Sequence, residues 1–207
     1  MSQIALPLSP GSPGPQRIVL GAANRHVAEA LSAPSSWPFG TAILTGPPRS
    51  GKSLLAAWFT RSGDFPGERR EAIDDAHLLP ETELFHRWNR AQGEGTRLLI
   101  VAGEPPWRIA LPDLASRLGA ALQLEIGAPD DALAEELVLS LAAERGLALG
   151  EDAAHYLVPR AGRSWAELER LVALIDTLSL ERKSPPTLGI WRGALEALYG
   201  PDEPPLL

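Results

Sequence analysis

The sequence predicts an α/β fold in which a parallel sheet is followed by a small subdomain built of helices alone. Three observations carry that prediction. Up to residue 126, short apolar runs alternate with segments of helical spacing, the pattern of successive βαβ units. After Gly127 helical spacing continues through four segments with no strand between them. Between the first apolar run and the helical segment after it stands Gly46-Pro47-Pro48-Arg49-Ser50-Gly51-Lys52-Ser53, an ungapped G-x-x-x-x-G-K-[ST].

In chain order, residues 1–17 are rich in Pro, Gly and Ser, a composition that buries too little apolar surface to offset its ordering entropy, and predict a flexible tail. Residues 18–127 form the α/β part. Val27, Ala30 and Leu31 mark a helix from Asn24 that ends before Pro34, and 41–45 reads as a buried strand. Gly51 opens a helix through Leu55 and Phe59, and a polar Gly/Pro linker over 63–69 leads to a strand at 71–74. Leu84, Phe85 and Trp88 share one face of a helix over 81–92. Residues 97–102 and 121–126 read as strands, with a short helix at 112–118 whose Pro112 stands in the permissive first turn. Residues 128–200 hold helical segments at 130–145, 152–159, 165–180 and 188–198, and 201–207 predict a frayed tail.

The chain has 207 residues, 44% hydrophobic and 22% charged, which suits one domain with a small appendage and excludes two large ones. Its apolar runs fall well short of the roughly 20 residues of a membrane span, and no signal peptide is recognisable, so a soluble cytoplasmic protein without membrane contact is expected. The absence of cysteine excludes disulfides, thiolate nucleophiles and Cys-ligated zinc, and the four histidines lack metal-ligand spacing. A net charge of -7 opposes non-specific binding of DNA through its phosphates. Of 19 basic residues only Lys52 and Lys183 are lysines, and one of them stands in the glycine-rich run.

That run is read as a phosphate loop. In the run Gly46-Pro47-Pro48-Arg49-Ser50-Gly51 the glycines let the backbone N–H groups of the non-proline residues curl around a β-phosphate, while the helix behind adds its N-terminal partial charge. Lys52 would reach the β- and γ-phosphates of ADP or ATP, and Ser53 would ligate Mg²⁺. Such a site needs an acidic residue at the end of a neighbouring strand. Ala72-Ile73-Asp74-Asp75 supplies Asp74 for the Mg²⁺ shell and Asp75 to orient an attacking water.

With those motifs in place, the chain resembles the DnaA-related AAA+ family, and within it the Hda branch of regulators that inactivate the replication initiator DnaA. Ile18-Val19-Leu20-Gly21-Ala22-Ala23-Asn24-Arg25 is similar to the family's adenine-flanking motif, which implies Val19, Leu20 and Asn24 at the nucleotide. Leu99-Ile100-Val101-Ala102-Gly103-Glu104-Pro105-Pro106 resembles the sensor 1 strand and its exit. Leu111-Pro112-Asp113-Leu114-Ala115-Ser116-Arg117-Leu118 is similar to the box carrying an arginine finger, which implies that Arg117 acts in trans on a nucleotide held by a neighbouring subunit. Gln3-Ile4-Ala5-Leu6-Pro7-Leu8 resembles the peptide by which replication proteins dock on the sliding clamp: Gln3 for hydrogen bonding, Ile4, Leu6, Pro7 and Leu8 for apolar contact.

The resemblance thus implies an AAA+ parallel sheet of four or five strands with a C-terminal lid. Its implied function is that of a nucleotide-bound regulator of replication initiation, partnered by the clamp and by DnaA, associated with the nucleoid through those partners, and able to form homo-oligomers. Direct sequence-specific DNA binding is not expected. Two departures qualify it. Only 20 residues lie between Ser53 and Asp74, too few for the strand the family places there, so the Asp74 strand is expected at the sheet margin. The lid's sensor 2 arginine position is filled by Ala166, with Arg163 three residues earlier as a substitute, and sensor 1 has Ala102-Gly103 in place of a polar side chain. Weak intrinsic ATPase activity follows. An autonomous AAA+ ATPase of helicase-loader type and a clamp-tethered nucleotide-binding adaptor are the alternatives.

Overall fold

The computed structural model describes residues 18–61 and 68–200, which divide after Gly127 into two compact units. The first is an α/β layer. It runs through α1 (Arg25–Ser32), β1 (Thr41–Thr45), α2 (Lys52–Arg61), β2 (Arg70–Ile73), α3 (Glu81–Glu94), β3 (Arg97–Val101), α4 (Pro112–Gly119) and β4 (Leu122–Glu125). The four strands form one parallel sheet in the order β2-β3-β1-β4. Thr41 stands opposite Leu98, Ala42 opposite Leu122, and Arg70 opposite Arg97.

The central strands read as unbroken apolar runs because helices cover both faces. Ile43, Ile73, Leu98 and Ile100 pack with Leu84, Trp88 and Ala91 of α3 and with Leu114 and Leu118 of α4. Strand alternation sends Ala42, Leu44, Leu99 and Val101 to the other face, where they are equally buried. There, α2 lies across β2 and β3.

Among the described residues the sheet has four strands and β2 is its margin, as the short spacing before Asp74 predicts. A bare strand edge is a template for unwanted pairing. Here the margin is dressed in charge. Arg70 lies 5.2 Å over the Phe59 ring and pairs with Glu68 at 3.1 Å, and Glu68 also accepts from Arg97 at 3.0 Å. Glu71 accepts from Arg87 at 2.8 Å and from Arg90 at 3.3 Å, both on α3.

The second unit contains α5 (Asp131–Glu144), α6 (Glu151–Leu157), α7 (Trp165–Arg182) and α8 (Leu188–Tyr199) around a core of its own. Val138, Leu157, Leu168, Leu171, Val172, Ile175 and Ala194 are its buried centre. Side-chain caps start two of the helices. Asp130 Oδ1 accepts from Leu133 N at 2.8 Å, and Ser164 Oγ accepts from Glu167 N at 3.2 Å. No helix among the described residues is long and apolar enough to cross a membrane.

Candidate nucleotide site

Because the strands are parallel, their C-terminal ends share one edge of the sheet, where open α/β sheets take their ligands. β1 lies between β3 and β4, so the chain leaves it to build one side and returns to build the other. The loop after β1 stands at that switch.

The loop's backbone explains its composition. Gly46 has φ +150°, and a Cβ there would lie 2.9 Å from Ile126 O, at the exit of β4, so only glycine fits. Its N–H donates to Gly103 O at 3.3 Å, which ties the exits of β1 and β3 together. Arg49 and Gly51 also have positive φ, +65° and +85°, and turn the chain into α2. Pro47 is half-buried and Pro48 exposed, at the start of the loop.

Lys52, the first residue of α2, donates from Nζ to Gly46 O at 2.7 Å and to Pro47 O at 2.8 Å. An ammonium has three donors, so one proton remains for an anion. Burial lowers the Lys52 pKa, while Asp74, Glu104 and Asp75 oppose that shift by their charge. The three carboxylates thus stand near enough to Lys52 for their charge to act on it. Ser50 is 2% exposed and its Oγ makes no hydrogen bond among the described residues. A phosphate oxygen in the loop would satisfy it, and the free N–H groups at the start of α2 favour the same charge. The residues fit a nucleotide phosphate.

Asp74 is the first residue after β2 and not its last, so the strand expected at 71–74 ends one residue early. Asp75 has φ +48° and donates its N–H to Asp74 Oδ1 at 3.0 Å, which fixes one carboxylate oxygen. Asp74 and Ser53 are both exposed. Among the described residues no three His, Cys, Asp or Glu side chains group to hold a metal unaided. A Mg²⁺ here would therefore take Asp74, Ser53 and phosphate oxygens together, the usual arrangement for that hard, reluctantly dehydrated ion.

Asn24 is 1% exposed, its Oδ1 accepting from Gly21 N and its Nδ2 donating to Val19 O, both at 2.9 Å. Its amide shapes the turn that presents half-buried Val19 and Leu20, and so acts on a base only through them. Gly127 N donates to Ala23 O at 3.2 Å, which fastens this segment to the exit of β4 beside the loop.

Arg117, near the end of α4, is half-buried and packed against α3. Its guanidinium carbon lies 4.6 Å from the Trp88 ring centre and 5.0 Å from that of Phe85, and Nη1 donates to Asn89 Oδ1 at 3.2 Å. In the helical unit Arg163 is exposed and pairs with Asp131 at 3.4 Å. Gln3, Ile4, Leu6, Pro7 and Leu8 lie outside the described residues.

His77 stands exposed in the single helical turn Ala76–Leu78 that follows Asp75. A Cβ at Gly103 would lie 3.4 Å from its Nε2, so the imidazole covers the glycine at the sensor 1 exit. The only sequence signal was its position two residues after Asp75.

No protein-family model matches the sequence. Among solved structures, domain III of the replication initiation protein DnaA from Thermotoga maritima matches with TM-score 0.73 and 14% identity, over 89% of this chain and 95% of that one. AMPPCP-bound DnaA from Aquifex aeolicus matches with TM-score 0.61 and 18% identity, over 80% of this chain and 67% of that one. The RuvB Holliday junction branch migration motor of Thermotoga maritima matches with TM-score 0.59 and 17% identity, over 87% and 71%. Identity at that level speaks to the fold, and the four-stranded parallel sheet, the phosphate loop after β1 and the helical C-terminal unit agree with it: the chain has a DnaA-like AAA+ fold.

Proposed function

We propose that this chain is an Hda-like regulator of replication initiation, which holds ADP or ATP with Mg²⁺, docks on the sliding clamp and promotes hydrolysis of DnaA-bound ATP. The observation that supports it most is the likeness to DnaA domain III over 95% of that domain, joined to a loop whose Lys52, Ser50 and Asp74 suit a nucleotide. A chain with the initiator's own fold is shaped to sit against the initiator as one AAA+ subunit sits against the next. In that arrangement Arg117 is the group delivered to the neighbour's γ-phosphate, where a guanidinium offsets developing charge and is worth about 10³ to 10⁵ in rate. Residues 3–8 tether the chain to the clamp. Asp75, with Asp74 and the bound Mg²⁺, supports at most a slow turnover of the chain's own ATP, because sensor 1 lacks a polar side chain.

The test is phosphate release from DnaA preloaded with ATP, with DNA-loaded clamp present. The intact chain is compared with Arg117→Ala and with the double variant Gln3→Ala/Leu6→Ala. Stimulation lost in both variants supports a clamp-tethered activator. Stimulation undiminished by Arg117→Ala moves the function to the adaptor reading, and a kcat near or above about 1 s⁻¹ without partners, within the ordinary enzyme range, moves it to an autonomous ATPase.

A further inference from the structure

We infer that Phe85 and Asn89 are positioning residues for Arg117, holding its guanidinium on α3 in the pose in which it is offered to a nucleoside triphosphate on a neighbouring subunit. The inference rests on the trans role of Arg117 proposed above.

α3 carries Glu81, Phe85, Trp88 and Asn89 at spacings of four, seven and eight from the first, which is one stripe of a helix. All four serve α4. Glu81 Oε1 accepts from Ala110 N at 2.8 Å and Oε2 from Leu111 N at 2.6 Å, which pins the backbone where α4 begins. One to two turns along the same stripe, the two rings lie under the Arg117 guanidinium carbon at 5.0 and 4.6 Å, and Asn89 takes one Nη1 proton. The finger helix is thus held at both its ends by one rail.

A long arginine side chain is ordinarily disordered at a surface, and ordering it on binding costs conformational entropy. Stacking against two rings removes that freedom in advance while leaving the edge of the guanidinium, with Nη2 and Nε, making no hydrogen bond among the described residues. Those are the donors a phosphate oxygen requires. Trp88 is 6% exposed and belongs to the core, so it anchors the shelf, whereas Phe85 and Asn89 are only half-buried and open to substitution.

The experiment uses the full chain in the clamp-dependent assay above, measuring the maximal stimulated rate separately from the chain concentration at half-maximum. Phe85→Leu and Asn89→Ala are each expected to lower the maximal rate about tenfold, since small displacements of a catalytic group cost one to two powers of ten, with the half-maximal concentration unchanged. Phe85→Tyr, which keeps the ring, is expected to restore the rate. In the chain alone, the Arg117 side-chain protons are expected to show ring-current shifts that Phe85→Leu reduces. Full stimulation by Phe85→Leu and Asn89→Ala, stimulation raised by them, or the absence of ring-current shifts overturns the inference. If Arg117→Ala itself leaves stimulation intact, the proposed function has failed; if only the Phe85 and Asn89 variants are silent, the positioning role alone has failed.

Discussion

Gly46 and Gly51 are the two invariable glycines of one loop motif, yet their surroundings predict different costs for the same added methyl group. At Gly46 an alanine must hold φ +150° and bring its Cβ to 2.9 Å from Ile126 O and 3.0 Å from Ile126 Cβ. The dihedral costs about 1–3 kcal/mol. The collision with backbone of a neighbouring strand cannot be relieved by a side-chain rotation and adds about 1–3 kcal/mol more. At Gly51 the dihedral is +85° and nothing lies within 4 Å of the added Cβ. There, only the left-handed conformation is charged, about 1–2 kcal/mol. With a urea dependence of about 2 kcal/mol per molar, Gly46→Ala is expected to lower the unfolding midpoint by about 1–3 M and Gly51→Ala by about 0.5–1 M. The tryptophans at 37, 58, 88 and 107 report unfolding of the α/β unit by fluorescence. Equal midpoints for the two variants, or a larger loss from Gly51→Ala, would refute the account of the loop as pressed against the β4 exit.

Lys52→Ala is expected to weaken nucleotide binding about ten- to hundredfold, the range for one charge-assisted hydrogen bond of about 1.5–3 kcal/mol, as read by calorimetric titration. Because the Lys52 pKa lies below its ordinary 10.5, the unfolded chain holds the extra proton between the two values, and folding stability contributed by this group rises with pH across that window. A bound phosphate favours the charged lysine, so nucleotide affinity is expected to fall as pH climbs through the lowered pKa, with proton uptake on binding that Lys52→Met abolishes. Asn24→Ala breaks both bonds that shape the turn at 19–24 and leaves Gly21 N and Val19 O without them, a loss of about 1–3 kcal/mol that urea titration checks. Glu81→Ala is expected to cost about 1–3 kcal/mol through the unpaired amides of Ala110 and Leu111, and to lower stimulation in the phosphate-release assay.

The order of elements was legible because each depends on neighbours in sequence. Period-2 and period-3.6 apolar spacing, Pro112 at a first turn and Gly51 before a helix all act within one or two turns of chain. Most element ends agree with expectation to within about two residues, the usual reach of fraying, as at α7, which runs to Arg182 where 165–180 was expected. The place of β2 at the sheet margin among the described residues was legible too, since the 20 residues between Ser53 and Asp74 leave little room for a further strand. The contacts of Asn24 were not legible, for nothing local says that both ends of its amide are spent on backbone.

By itself, then, the sequence determined the α/β layer, the glycine-rich loop with its lysine between β1 and α2, the acidic pair after β2 and the all-helical unit, because each is written in spacing and residue type along the chain. Only the tertiary structure decided what surrounds them. That Lys52 rests on two carbonyls, that His77 covers Gly103, that Ile126 forbids a side chain at Gly46 and that Arg117 lies on Phe85 and Trp88 are contacts between segments far apart in the chain. Their geometry comes from strand order and helix packing, which no local pattern encodes.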